Sequence, residues 1–477
     1  MKYTNLELFI NGEWLSGEGR KTETVLNPAT EESLGELPHA TETDLDNALE
    51  AAKIAFDTWK NTSPLTRANI LRDAGKLLRE RQQSIGQILT LEEGKVLDQA
   101  VAEIVSCAET LEWFAEEGRR AFGRVIPARD IGLNQMTLPE PVGPVAAFVA
   151  WNFPGTNVIR KIAASLAAGC SCIMKASEET PGTCIEIARA LDDAGLPKGV
   201  LNLVFGVPAE ISEYLIDSPV VRKVSFIGSI PVGKHLTKLA ASHMKRTTME
   251  LGGHAPVIIF DDVDVEAVAK QAVATKYRNA GQVCISPTRF FVHENIYEDF
   301  VNCFTDLVNE ITVGNGLESN VQMGPLANHR RLDAMEYFVE DALKQGARLT
   351  TGGERIGKNG YFFQPTVFAD VPDSARIMTE EPFGPIAPIQ KWSDIDEVVD
   401  KANSLPFGLA AYAFTSSAAN VQLISRALEA GMVGVNHFGV TVPETPFGGV
   451  KESGHGYECG SEGLEGYLVT KYVSHKM

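Results

Sequence analysis

Cys284 stands in the string Asn279-Ala280-Gly281-Gln282-Val283-Cys284-Ile285-Ser286-Pro287. A thiol among small and amide residues, with Gly281 three positions before it, suits a tight, open turn. The sulfur there can face a pocket and form covalent bonds. Most free cysteines are small buried hydrophobes, so the thiol reads as a nucleophile only if the rest of the chain supplies partners. Two are on offer. Asn152, in Trp151-Asn152-Phe153-Pro154, follows a short apolar run. An amide at a strand end can donate to a developing oxyanion, although asparagine is also an ordinary turn residue. Glu250, in Thr248-Met249-Glu250-Leu251-Gly252-Gly253, is an acid in an apolar, glycine-rich setting. Burial there raises its pKa and suits it to general-base work; the plainer alternative is an acid at a strand edge.

A second set of residues suits a nucleotide. No convincing Gly-x-Gly-x-x-Gly follows a strand, so the common dinucleotide fingerprint is missing. Phe226-Ile227-Gly228-Ser229 instead ends a strand and opens a helix containing Gly233. A helix N-terminus offers backbone N–H groups and a positive dipole end to a phosphate, and the same string also serves as a plain strand-to-helix turn. Lys175 and Glu178, before Pro181, suit ribose hydroxyls. A carboxylate accepts two ribose O–H bonds and repels a 2′-phosphate; a solvated helix start is the alternative. Glu381-Pro382-Phe383-Gly384-Pro385 and Pro446-Phe447-Gly448-Gly449 are two further tight turns.

The elements that must position these groups follow from periodicity. Leu45, Ala48, Leu49, Ala52, Ala55, Phe56 and Trp59 recur at helical spacing, with Thr43 as the expected N-cap. Segments 76–89 and 100–114 read as amphipathic helices, and 122–141 as an extended strand arm. From 144 to 262 strands alternate with helices: strands at 145–150, 171–174, 200–205 and 223–227, with helices at 156–168, 180–193, 209–216 and 232–241. That alternation predicts a doubly wound parallel sheet with ligands at the carboxyl ends of its strands. The second half alternates again, and 467–474 reads as a closing strand.

Composition narrows the function classes. The chain has 477 residues, enough for two or three domains. Its net charge of −19 disfavours nucleic acid and anionic membrane as partners, since both are polyanions. An anionic substrate therefore needs a local cluster of Arg or Lys. The seven cysteines are odd in number and include no Cys-x-x-Cys pair, which argues against a disulfide framework or structural zinc and fits a reducing cytoplasm. The nine histidines form no His-Glu-x-x-His pair, so no metal is expected. No signal peptide is read at the start, and no apolar run approaches the ~20 residues of a membrane span.

The strings Trp-Asn-Phe-Pro, Lys-x-x-Glu, Phe-x-Gly-Ser, Glu-Leu-Gly-Gly, Gly-Gln-x-Cys, Glu-x-Phe-Gly-Pro and Pro-Phe-Gly-Gly occur here in that order. Together they resemble the aldehyde dehydrogenase superfamily over essentially the whole chain, from Asn11-Gly12-Glu13-Trp14 to the C-terminal strand. The resemblance implies an α/β fold of three parts. A five-stranded NAD-binding domain would span 1–121 and 142–250, an α/β catalytic domain 251–450, and an oligomerisation arm 122–141 and 451–477. It implies Cys284 as nucleophile, Asn152 with the Cys284 backbone N–H as oxyanion donors, and Glu250 as the base for thioester hydrolysis. It places Trp151, Lys175, Glu178, Gly228, Ser229, Leu251, Glu381 and Phe383 on the cofactor, with NAD preferred to NADP because of Glu178. A homodimer or homotetramer is expected.

Within the superfamily the chain resembles succinate-semialdehyde and 2-oxoglutarate-semialdehyde dehydrogenases, through 278–289 and 443–449. That resemblance implies that Arg160 and Arg278 clamp the far carboxylate of an ω-carboxylated aldehyde, for which the forked, permanently charged guanidinium is well suited. Arg160 lies six residues after Pro154, ~9 Å along a helix, and Arg278 lies six before Cys284. Thr441-Val442-Pro443 stands where some succinate-semialdehyde enzymes carry a serine, which leaves the third polar anchor absent or differently supplied. The alternatives are a dehydrogenase of small aliphatic or hydroxy-aldehydes such as lactaldehyde or glycolaldehyde, a CoA-acylating member, which Glu250 argues against, and a non-catalytic protein on the same fold.

Overall fold

The computed structural model describes residues 3–477, so the first two residues of the expected 1–121 segment lie outside it. Two sheets, each over its own apolar core, carry most of the chain. The first has eight strands, ordered Gly454–His455, Arg246–Glu250, Lys223–Ile227, Val145–Phe148, Cys172–Lys175, Leu201–Val204, Leu8–Ile10 and Glu13–Leu15. The five from Arg246–Glu250 to Leu201–Val204 are mutually parallel. They match the five-stranded expectation, and three short antiparallel strands extend them at the edges. One extension is structurally clear: the hairpin Leu8–Ile10/Glu13–Leu15 pairs Phe9 with Leu203 and stacks Phe9 on Trp14, ring centroids 4.5 Å apart. It covers an edge that would otherwise present unpaired backbone groups.

The strand order reverses at Val145–Phe148: later strands add on one side as Cys172–Lys175 and Leu201–Val204, and on the other as Lys223–Ile227 and Arg246–Glu250. Such a switch point opens a crevice at the strands' carboxyl ends. Asn152, Gly228 and Glu250 all sit at or just beyond those ends.

The second sheet has seven strands, ordered Arg348–Thr351, Thr366–Ala369, Ile386–Trp392, Pro287–His293, Ala255–Ile259, Ala410–Phe414 and Met432–Val435. All pairs are parallel except the first. Cys284 lies in the turn that enters its central strand Pro287–His293, which brings the thiol against the crevice of the first sheet.

Two sequence expectations shift. The first helix, Glu42–Trp59, is capped by Thr41 and not Thr43. Thr41 accepts from the Asp44 N–H while the Asp44 carboxylate accepts from the Thr41 N–H, a reciprocal box that Thr43 is placed too late to form. The arm is a three-stranded sheet of Leu468–Lys476, Leu133–Pro141 and Arg124–Ile126, so only the end of 451–477 belongs to it. Residues 451–467 lie against the first sheet. Gly454 pairs with Glu250, and a Cβ there would fall 1.8 Å from the Met249 carbonyl oxygen, an approach that only glycine permits.

Candidate active site

The crevice between the two sheets is a cavity of ≈ 1070 Å³. Cys284 lies on its wall, reached through an unusual turn. Asn279 and Ala280 both have φ near +50°, in the left-handed region that costs energy for a residue with a Cβ. Hydrogen bonds hold the turn: the Asn279 N–H donates to Gln99 Oε1 (3.0 Å), and the Gln282 N–H donates to the Asn279 carbonyl (2.9 Å). The Gln282 Oε1 accepts from the Ala327 N–H at 3.0 Å. Burial pushes the Cys284 thiol up to about 12, with the Glu381 and Glu250 charges adding to it and Arg160 opposing. At neutral pH the sulfur is a thiol that must lose its proton as it attacks.

Glu250 ends the strand Arg246–Glu250 and lines the same cavity. Both carboxylate oxygens are buried, and among the described residues neither has a hydrogen-bond partner. Burial drives its pKa well above the usual carboxylate range, and the neighbouring Glu458 charge adds to this against Lys161 and Arg160. A buried acid with two open acceptors has the form expected of a base that holds a proton or a water. Asn152 is oriented on both sides. Its Oδ1 accepts from Asn157 Nδ2 at 3.2 Å, and its Nδ2 donates to the Gln282 carbonyl at 3.1 Å. One of the two amide protons remains free.

Trp151, Gly228, Ser229, Leu251, Glu381 and Phe383 also line the cavity. Ser229 caps the helix Ile230–Ser242 without a side-chain cap bond, which leaves first-turn N–H groups open to an anion. The Trp151 and Phe383 rings meet edge to face at 5.6 Å. Glu381 accepts from the Gly253 N–H at 3.1 Å, and burial pushes it up to about 7 against the pull of Arg331 and Lys276. An open helix N-terminus, aromatic faces and a carboxylate with acceptor capacity left suit the phosphates, ring and ribose of a nicotinamide dinucleotide. Lys175 and Glu178 are placed differently. They pair with each other at 2.5 Å at the end of the neighbouring strand Cys172–Lys175, and neither is on the wall around Cys284.

Arg160 and Arg278 both reach the cavity. Arg160 Nη2 donates to Thr441 Oγ1 at 3.1 Å, and its guanidinium lies 4.2 Å from the Phe447 ring centroid. The Thr441 hydroxyl is thus the polar group at the position where the sequence left an anchor in doubt. Arg278 lies 5.5 Å from the Phe153 ring centroid, and among the described residues its guanidinium makes no hydrogen bond or ion pair. The protein packed around it lowers its pKa from the ordinary arginine value, while its side chain stays open to the cavity. Sequence reasoning missed Lys95, Gln99 and Glu103, which line the cavity from the helical layer, and Tyr412 and Phe438, which form an aromatic wall 4.9 Å ring to ring. The only local signal was Gly94-Lys95 closing a helix, and it says nothing about where the lysine points.

Residues 14–473 match the Aldehyde dehydrogenase family. The chain is 46% identical, over 98% of each sequence, to a putative 4-(hydroxymethyl)benzenesulfonate dehydrogenase of Comamonas testosteroni. It is 38% identical to the NADP(+) succinate-semialdehyde dehydrogenase of Escherichia coli (strain K12), over 99% of each. The crystal structure of succinate-semialdehyde dehydrogenase from Burkholderia pseudomallei superposes with a TM-score of 0.97 at 40% identity, covering 99% of this chain and 98% of that one.

Proposed function

This chain belongs to the aldehyde dehydrogenase family, and from that premise we propose that it oxidises an ω-carboxylated aldehyde, succinate semialdehyde or 2-oxoglutarate semialdehyde, to the dicarboxylic acid. The observation that carries the reading is the unpartnered Arg278 guanidinium beside Arg160 and Thr441 in one cavity with Cys284. Arg278 is exposed to that cavity, so its forked guanidinium is free to meet an anionic group on a substrate that enters there.

The residues divide the chemistry as follows. Cys284 Sγ adds to the aldehyde carbon to give a hemithioacetal, its proton passing to solvent through the open cavity. The free Asn152 N–H and the Cys284 backbone N–H donate to the oxygen as it gains charge. Bound NAD(P) supplies the hydride acceptor that turns the hemithioacetal into a thioester. Glu250 then takes a proton from water as that water attacks the thioester carbon, releasing the acid and regenerating the thiol. Trp151, Gly228, Ser229, Leu251, Glu381 and Phe383 hold the cofactor. Glu178, acting against a 2′-phosphate, makes NAD the preferred form, with Lys175 as its ion-pair partner. The arm, with Phe122, Val125 and Ile131 exposed, is the surface for a homodimer or homotetramer.

A second reading has a specific basis. The Comamonas relative is named for a sulfonate, and guanidinium forks match sulfonate oxygens much as they match carboxylate. The test is kcat/KM with both cofactors for succinate semialdehyde, 2-oxoglutarate semialdehyde, a sulfonated benzaldehyde and butanal. A working clamp favours an anionic aldehyde over butanal by about a hundredfold, the equivalent of ~2–3 kcal/mol. The sulfonated compound leading the panel replaces carboxylate by sulfonate. Equal values for charged and neutral aldehydes overturn both.

A further inference from the structure

Asn152 carries its functional amide on one side and a heavily used backbone carbonyl on the other. That carbonyl accepts from Lys95 Nζ at 3.1 Å and from Asn279 Nδ2 at 2.9 Å. Three stretches of chain therefore meet on one oxygen: the junction after the helix Pro64–Glu93, the end of the cofactor strand, and the strained turn that delivers Cys284. Lys95 is 2% exposed. Its ammonium pairs with Glu103 Oε2 at 2.5 Å and lies 3.8 Å from the Phe153 ring centroid. The other Glu103 oxygen accepts from the Gly155 and Thr156 N–H groups at 2.9 and 3.0 Å. These open the helix Pro154–Ala168, which carries Arg160.

We infer that Lys95, braced by Glu103, is a positioning residue that fixes the Asn152 amide against Cys284 by clamping the Asn152 carbonyl together with Asn279. The inference rests on Asn152 being the oxyanion donor. Lys95 borders the cavity, but its ammonium is engaged by the Asn152 carbonyl, Glu103 and the Phe153 ring, so it acts on the site through Asn152 and Phe153. Its charge is already matched by Glu103, so its contribution is placement and not field. Loss of the clamp frees the Asn152 peptide to rotate and uncouples it from the Asn279 turn, so the donor and the sulfur no longer share a fixed spacing. Misplacement of a reacting group by about 1 Å is enough to cost on the order of a hundredfold in rate.

The experiment is a double-mutant cycle read by the pre-steady-state burst of NADH, with cofactor Kd and Tm measured on every variant. Asn152→Ala lowers the burst rate constant by about 10²–10³-fold, as loss of an oxyanion donor does. Lys95→Met lowers it by tens to a hundredfold, leaves the cofactor Kd unchanged, and adds nothing when combined with Asn152→Ala. If leaving Glu103 unpaired prevents folding, Lys95→Met/Glu103→Gln removes both charges, keeps an oxygen acceptor for Gly155 and Thr156, and is expected to show the same non-additivity. Multiplying effects in the cycle overturn the inference and leave Asn152 in its role. A matched loss of cofactor affinity and Tm in the Lys95 variants overturns it as well, since it marks a merely structural role. An unchanged burst in Asn152→Ala overturns the oxyanion reading itself.

Discussion

At the end of the strand Cys172–Lys175, Lys175 and Glu178 lie 2.5 Å apart and answer each other's charge. Around Cys284 the charges are left open among the described residues: Glu250 has two buried oxygens without a donor, and the exposed Arg278 guanidinium has no acceptor. Lys175 and Glu250 both end strands of one parallel sheet, so the fold alone does not separate them. What separates them is completion: Lys175 is buried with its charge answered by Glu178, whereas the buried Glu250 carboxylate finds no donor among the described residues, which lowers stability. Open charges persist where a ligand or a reaction intermediate completes them. In the proposed function the paired end tunes the choice of cofactor, and the open end does the chemistry.

Substitutions can break this contrast, the largest effects lying at the open end. Cys284→Ala is expected to lower NADH formation by about 10⁴-fold or more; a variant that keeps full activity removes the proposed nucleophile. Glu250→Gln lowers steady-state turnover by about 10²–10⁴-fold and retains one NADH equivalent per chain in the burst, because thioester hydrolysis is the step it serves. For wild type, kcat rises as pH climbs through the raised Glu250 pKa, since the base must be ionised to act. Arg278→Ala costs about a hundredfold in kcat/KM for an anionic aldehyde and leaves butanal unchanged; equal losses on both count against a clamp.

At the paired end the effects shrink. Glu178→Gln changes the NADP/NAD ratio of kcat/KM by roughly tenfold, as one charge near a phosphate does, with the rate of the chemical step unaltered. The smallest signal is in stability. Glu381 is held at about 7 by burial against 4.5 when unfolded. Between those values the folded chain binds more protons, so its contribution is fully present below pH 4.5 and is lost as pH rises through 7. The Tm of Glu381→Gln, followed by calorimetry from pH 5 to 8, therefore declines less steeply than that of wild type.

The contrast also marks what the sequence could reveal. Cys284, Glu250 and Asn152 sit in short strings whose local chemistry is legible, and alternating strands and helices imply the switch point that gathers them. The strand Val145–Phe148 falls within the expected segment because a buried parallel strand is a continuous apolar run. What stayed hidden depends on contacts between distant segments. Nothing near Gly94-Lys95 says that the lysine turns inward to a carbonyl 57 positions away. Nothing near Gly454 says that it joins the edge of the first sheet and not the arm, since that pairing needs a glycine placed against Met249. Thr41 and Thr43 differ only in distance to Asp44, which a periodicity argument does not resolve.

The central claim is that Cys284 carries the acyl group of an anionic aldehyde. The direct measurement is peptide mass spectrometry of Glu250→Gln after mixing with NAD and succinate semialdehyde, with NADH counted in the same sample. The account predicts a succinyl mass on the peptide containing Cys284, matched by one NADH per chain, and far less labelling from butanal at equal concentration. An unmodified Cys284 alongside full NADH release, or an acyl mass on another cysteine, would contradict it.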